Sequence, residues 1–206
     1  MGPDVIDTLT EKEVDACLAA IKDPQQMAIF RLMSEMGLSL SEILGDDELK
    51  TPGLYIQDVD SRNLTLRVYY RFVRDSHMEE RTVPLPVDCL IAIKDHLWSM
   101  GEDLHSWGQL FVVKDRRVRQ MLFDLGKDAG LGKKVSPLSL RKYALISLLK
   151  SGLKPSEIRK RFGFLREQEE QIVLIAQLFI YNPTLTEEKV ADKVVDRLFG
   201  VKENKR

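Results

Sequence analysis

The sequence is short of the features that would place it in several large classes. Among its 206 residues are two cysteines, Cys17 and Cys89, far apart and matching no metal-ligand spacing. That excludes a disulfide framework and reads as small buried thiols in a reducing cytosol. Its three histidines, His77, His96 and His105, form no close i, i+4 pair, so no metal site is expected. The longest apolar run, Ile172 to Ala176 and then Leu178 to Ile180, falls far short of the ~20 residues that span a bilayer. The N-terminus lacks a basic stretch followed by an apolar one, so no signal peptide is expected. There are no internal repeats and no low-complexity tracts. These absences point away from membrane and secreted proteins, towards a cytoplasmic globular chain that needs no cofactor.

What is present supports that expectation. The chain is 44% hydrophobic and 31% charged, enough apolar material to build a core without staples. The net charge of −1 conceals a strong asymmetry. Residues 1–61 carry 4 Lys/Arg against 13 Asp/Glu, and residues 112–166 carry 15 against 4, a local excess of +11. Such a segment fits a polyanion partner, because electrostatics can dominate affinity for nucleic acid. Its alternative reading is a solvated helix face.

Periodicity and punctuation define the elements. Thr10 with Glu13 forms a capping box for a helix to Ile21. Pro24 opens a second helix that Gly37 ends, and Ser39 or Ser41 caps a short third one through Leu44. Leu54–Val59 and Leu64–Phe72 read as strands, the second with Leu64, Leu66, Val68 and Tyr70 on one face. A turn at 60–63 joins them, and Arg81–Leu85 is a third short strand. Helices follow over 87–100, from Val118 to Ala129, from Pro137 to a stop at Gly152, and from Pro155 to Gly163. Glu169–Tyr181 is apolar nearly all round and should be buried. A terminal helix, Thr184–Phe199, is expected after Asn182-Pro183. The fold class is therefore α+β, mostly helical with a small three-stranded antiparallel sheet. The expected division is a domain over 1–183 and a C-terminal helix and polar tail over 184–206.

Several short motifs fall in a telling order. Leu9-Thr10-Glu11-Lys12-Glu13-Val14 is similar to an "LTxxE" opening, and Gly37 to Leu44 to a "GLRxSELL" box. Asp58-Val59-Asp60 resembles "DID", Arg81 to Leu85 resembles "RxVPL", and Leu110-Phe111 matches "LF". Ala129-Gly130-Leu131 matches "AGL", Ser136 to Lys142 is similar to "TPHxLRH", and Arg161 to Phe164 stands where an "LGH" is expected. Together they resemble the catalytic domain of tyrosine recombinases, or phage integrases, from about Leu9 to Ile180.

The resemblance implies an enzyme that cleaves DNA with a tyrosine nucleophile. Two arginines, one or two histidines and a hairpin lysine would stabilise the phosphate in flight and protonate the leaving group. The residues present depart from that set. Ser39 stands at the first arginine, Glu79 or a neighbour at the lysine, Leu138 and Phe164 at the histidines, and Val173 near the nucleophile. Only Arg141, the second arginine, matches. No catalytic residue is therefore assigned, and the chain reads as a pseudo-enzyme.

The residual function expected is binding of double-stranded DNA, as a regulator or accessory factor of recombination. Candidate contacts are Arg116, Arg117, Arg119, Lys133, Lys134, Arg141, Lys142, Lys154, Arg159, Lys160 and Arg161, because the resemblance implies that these elements face a duplex. The match starts at Leu9, so the family's separate N-terminal DNA-clamping domain is not expected in this sequence. Such a half-clamp should bind weakly unless it forms a homo-oligomer or meets a recombinase partner, with the C-terminal helix as the docking element. Three alternatives stay open: an unusual enzyme using Tyr143 or Tyr181, a plain helix-turn-helix regulator built on residues 154–164, and a protein-interaction role without DNA.

Overall fold

The computed structural model describes residues 8–48, 50–70, 78–181 and 198–200. Its order is three helices, a small sheet and five helices: α1 (Glu11–Ala20), α2 (Pro24–Met36), α3 (Leu40–Leu44), β1 (Val59–Asp60), β2 (Thr65–Tyr70), β3 (Glu79–Pro84), α4 (Val87–Ser99), α5 (Asp115–Asp128), α6 (Pro137–Lys150), α7 (Pro155–Phe162) and α8 (Glu169–Tyr181). The sheet is antiparallel in the order β1-β2-β3, with Leu66 opposite Val83 and Tyr70 opposite Glu79. The expected fold class holds. The terminal helix expected at Thr184–Phe199 lies outside the described residues, apart from 198 and 199.

Most helix ends follow from local chemistry. Thr10 and Glu13 close a reciprocal capping box on α1. Asp23 caps α2 ahead of Pro24, whose missing N–H costs nothing at the first turn. Ser39 caps α3 and Ser136 caps α6, each through its hydroxyl.

α2 is the hub, packed on α4 and α6. Ala28, Ile29, Phe30, Leu32, Met33 and Met36 are wholly buried on it; each large side chain among them contributes roughly 1.5–3 kcal/mol through removal from water. Leu66 and Val68 of β2 join the same core, which runs from Leu9 to Leu140. A second cluster gathers Ala144, Leu145, Ile158, Phe162, Phe164, Ile172, Ile175 and Leu198.

Three expectations are corrected. Leu54–Val59 is not a strand: Ile56–Asp58 is a 3₁₀ turn and only Val59 and Asp60 pair with β2. The cause is Asp58, whose carboxylate accepts from Tyr55 N–H at 2.9 Å and pairs with Arg67 Nε at 2.9 Å, folding the backbone back. Leu64 does not share the apolar face of β2, because it sits in the turn with φ 52° and is exposed. The apolar α8 is not buried all round: Ile172 and Ile175 are enclosed, while Val173 and Leu174 face solvent.

The two tryptophans of the chain, Trp98 at the end of α4 and Trp107 in the loop after it, are 82% and 87% exposed. Among the described residues no helix is long and apolar enough to cross a membrane.

Candidate functional site

Ser39, Arg141 and Phe164, three of the positions that the family resemblance marks as catalytic, line one open cleft of about 470 Å³, whereas Glu79, Leu138 and Val173 do not line it. Its walls include Ser39, Ser41 and Glu42 of the α3 region, Tyr69 and Tyr70 of β2, Arg141 of α6, Phe162 to Leu165 at the end of α7, and Leu198 to Gly200. Two glycines let it close up. Gly37 adopts φ 71°, and a Cβ there would lie 2.3 Å from the Phe162 ring. Gly163 adopts φ 67° and sits directly against the Arg81 guanidinium.

Each expected group has an alternative task. Ser39 is a helix cap: its N–H and hydroxyl donate to Glu42 Oε2 at 2.7 and 2.9 Å. Glu79 accepts from the Tyr70 hydroxyl at 2.7 Å. Leu138 is half-buried and Phe164 is buried against Phe162 at 5.2 Å. Val173, at the expected nucleophile position, is an aliphatic residue 37% exposed. Arg141 is present, but its Nε–H donates to Gly37 O at 2.8 Å, and its guanidinium lies 5.8 Å from the Phe162 ring and 5.1 Å from the Phe199 ring. Burial draws the Arg141 pKa down, an effect Glu42 opposes and Arg81 reinforces.

Arg81, which motif reading assigned only to a strand, stands beside the cleft and holds its wall together. It pairs with Glu42 Oε1 at 2.6 Å, donates through Nε to Arg161 O at 3.0 Å and stacks 4.9 Å from the Tyr70 ring. Its alternation along β3 signals an inward side chain, but not its partners. Tyr69 and Tyr70 were missed for the same reason. Burial, helped by the Glu79 hydrogen bond, pushes Tyr70 up to about 12, and burial raises Tyr69 as well. Neither phenol is activated. Tyr143 does not line the cleft; burial raises its pKa, with Glu11, Asp15 and Glu35 adding to the effect. The side chain of Tyr181 lies outside the described ones.

The candidate DNA contacts separate by environment. Arg116, Arg117 and Arg119 stand exposed on α5, Arg119 paired with Asp115. Lys134, Lys154 and Lys160 are exposed too. Lys133 is partly buried, binding Thr8 O and Glu13, each at 3.2 Å, and Arg159 is engaged with Glu169 at 2.8 Å. Lys142 is only 2% exposed. Arg161 is half-buried, and desolvation lowers its pKa against the pull of Cys89 and Glu35. Arg141 lines the open cleft, and Arg141 and Arg161 are partly exposed, whereas Lys142 is buried. Among the described residues no cluster of His, Cys, Asp or Glu could hold a metal ion.

This arrangement, helices around a three-stranded sheet, is the architecture of a tyrosine recombinase catalytic domain. The model of the phage integrase family matches residues 7–172, and the chain belongs to that family. No curated protein matches. The fold is similar to that of XerA recombinase, with TM-score 0.69 and 23% identity over 92% of this chain and 67% of that one. It is also similar to the integrase from mycobacterium phage Brujita, with TM-score 0.61 and 17% identity over 96% and 65%. The Tn1549 transposon integrase, solved with a circular intermediate DNA, gives TM-score 0.58 and 16% identity over 87% and 62%. This chain thus spans about two-thirds of the length of those chains. Family membership ties it to DNA recombination.

Proposed function

We propose that this chain is a non-catalytic member of the phage integrase family that binds double-stranded DNA as a regulator or accessory factor of recombination. The observation that carries this reading is the cleft itself. Of the arginines, histidines, lysine and tyrosine that the family pattern places at the site, Arg141 alone stands at its expected position, engaged by Gly37 O and two phenylalanine rings. The tyrosines that do line the described cleft, Tyr69 and Tyr70, donate their hydroxyls to Asp58 and Glu79. Removing even one group of that pattern costs orders of magnitude in rate. The second guanidinium nearby, Arg81, is neutralised by Glu42.

DNA binding is supported by the exposed cations Arg116, Arg117, Lys134, Lys154 and Lys160 within the basic segment. It is supported also by relatives solved on DNA, XerH recombinase on its difH substrate and the Tn1549 integrase among them. Such contacts position a protein on the phosphate backbone without specifying sequence. The test is incubation with nicked suicide substrates, on which no covalent protein–DNA adduct should form. An adduct that disappears in Tyr181→Phe, Tyr143→Phe or Tyr70→Phe would overturn the non-catalytic claim.

A further inference from the structure

We infer that an open notch at the end of α4 is a docking site for an arginine side chain presented by a partner protein. The notch, of about 390 Å³, is lined by Trp98, Gly101, Glu102, Asp103 and Ser106. It shares no residue with the cleft described above. Leaving the Trp98 indole in water forgoes the free energy of burying it. Tryptophan is enriched among the residues that carry binding energy at protein interfaces. Trp98 also continues an outward stripe of α4, at helical spacing from Val87 and Ile91, both more than half exposed.

The walls of the notch are held by local bonds. Gly101 adopts φ 78° after α4, its N–H donating to Trp98 O at 3.0 Å, while Glu102 N–H donates to Leu97 O at 2.9 Å. Beyond its chain neighbours, no described atom lies within 4 Å of where a Cβ on Gly101 would stand. The Asp103 carboxylate accepts His105 N–H at 2.7 Å, and Asp103 N–H donates to Ser106 Oγ at 3.1 Å. Farther along, Ile56 N–H donates to Gly108 O at 2.9 Å and Leu110 N–H to Leu54 O at 2.8 Å. A loop tied down at both ends loses little freedom when a ligand arrives.

Charge selects the occupant. The lining holds the exposed carboxylates Glu102 and Asp103 and no lysine or arginine. Among the described residues no ion pair engages either carboxylate. Over residues 87–109 the acids Asp88, Asp95, Glu102 and Asp103 face Lys94 alone. This surface repels a phosphate backbone and attracts a cation, through the carboxylates and through the face of the indole together. Arginine fits better than lysine. Its planar guanidinium can stack on an indole while its edge donates two parallel hydrogen bonds to a carboxylate.

The inference stands whether or not the chain binds DNA. Its test is the NMR signals of the two indole Nε1–H groups in the full chain, assigned by the loss of one in Trp98→Leu. Titration with N-acetyl-Gly-Arg-Gly-amide at constant ionic strength should shift the Trp98 signal saturably. The signal of Trp107, as exposed but outside the lining, should move far less. The lysine counterpart of the peptide should bind more weakly, and the leucine counterpart should leave the signal in place. Trp98→Leu, followed through the Gly101 N–H, should weaken the arginine peptide about 2- to 5-fold, and the exposed position lets the variant keep a dispersed spectrum. Glu102→Gln with Asp103→Asn, which keeps a carbonyl for His105 N–H, should abolish saturation. Absence of a saturable shift in the native chain, equal movement of the two indoles, equal binding of the leucine peptide, or saturation unchanged in either variant would each overturn the inference. A Trp98 signal that moves when the protein alone is concentrated would place a second copy in the notch and overturn a separate partner.

Discussion

Glu42 holds the cleft together with two oxygens that do different work. Oε2 accepts the N–H and hydroxyl of Ser39, and Oε1 pairs with Arg81, both side chains being nearly inaccessible. Breaking a buried pair from one side leaves an uncompensated charge, at a cost of about 3–5 kcal/mol. Arg81→Met should therefore destabilise by that order in urea denaturation, and the double variant with Glu42→Gln should recover part of the loss. A double variant no more stable than Arg81→Met would show that the pair contributes little. The cysteines provide a second check at this scale. Burial, reinforced by Glu13, pushes the Cys17 thiol up to about 11 from an ordinary 9. Burial raises Cys89 further, with Glu35 accepting its S–H at 3.4 Å. Thiolate is the reactive form, so both should resist alkylation at pH 8 until the chain unfolds. Because the folded Cys17 pKa lies above the unfolded one, its contribution to stability is complete below pH 9 and is lost as pH rises towards 11. The denaturation midpoint of native protein should fall over that window more than that of Cys17→Ala.

Among the elements, α2 is the hub on which α4 and α6 pack. Its Asp23 cap accepts from Gln26 N–H at 3.0 Å, and Asp23→Ala should cost about 1 kcal/mol. Phe30→Ala in its buried face should cost roughly 3–5 kcal/mol; a measured loss below 1 would mean the core can collapse around the gap. Helix starts such as Thr10, Pro24, Ser39 and Pro137 were legible because the groups that define them lie within four residues of one another. The stretch 54–59 was misread as a strand because its fate depends on Asp58 meeting Arg67 across a turn, which alternation of apolar residues does not encode. For α8, composition gave the helix but not its orientation: Val173 and Leu174 are as apolar as Ile172 and Ile175, and only packing decides which pair faces inward. The cleft was half legible. Motif spacing marked Ser39, Arg141 and Phe164, whereas Tyr69, Tyr70 and Leu198 to Gly200 arrive there through contacts distant in sequence.

For the whole molecule, charge distribution makes the strongest demand. Binding through about four to six phosphates should give a log–log salt slope of roughly −4 to −5, since each neutralised phosphate releases counterions. Arg116→Ala with Arg117→Ala should flatten that slope by up to about 2 and weaken binding to all sequences alike. Gel-shift titrations across salt measure both. Binding that is absent at low salt, or that ignores salt and these arginines, would favour the protein-interaction reading. If DNA is bound, the acidic first 61 residues, net −9, should turn away from the duplex.

Trp98 and Trp107 carry a practical consequence for every measurement above. With both indoles already bathed in water, the folded protein should emit at long wavelength, close to where its denatured form emits. Intrinsic fluorescence would then follow unfolding poorly, and melting curves should instead be recorded by circular dichroism at helical wavelengths. The same exposure makes the two indoles useful as collisional-quencher targets: iodide or acrylamide should quench the native protein almost as strongly as the unfolded chain. A blue-shifted, quencher-protected native spectrum would mean that something covers this surface in solution.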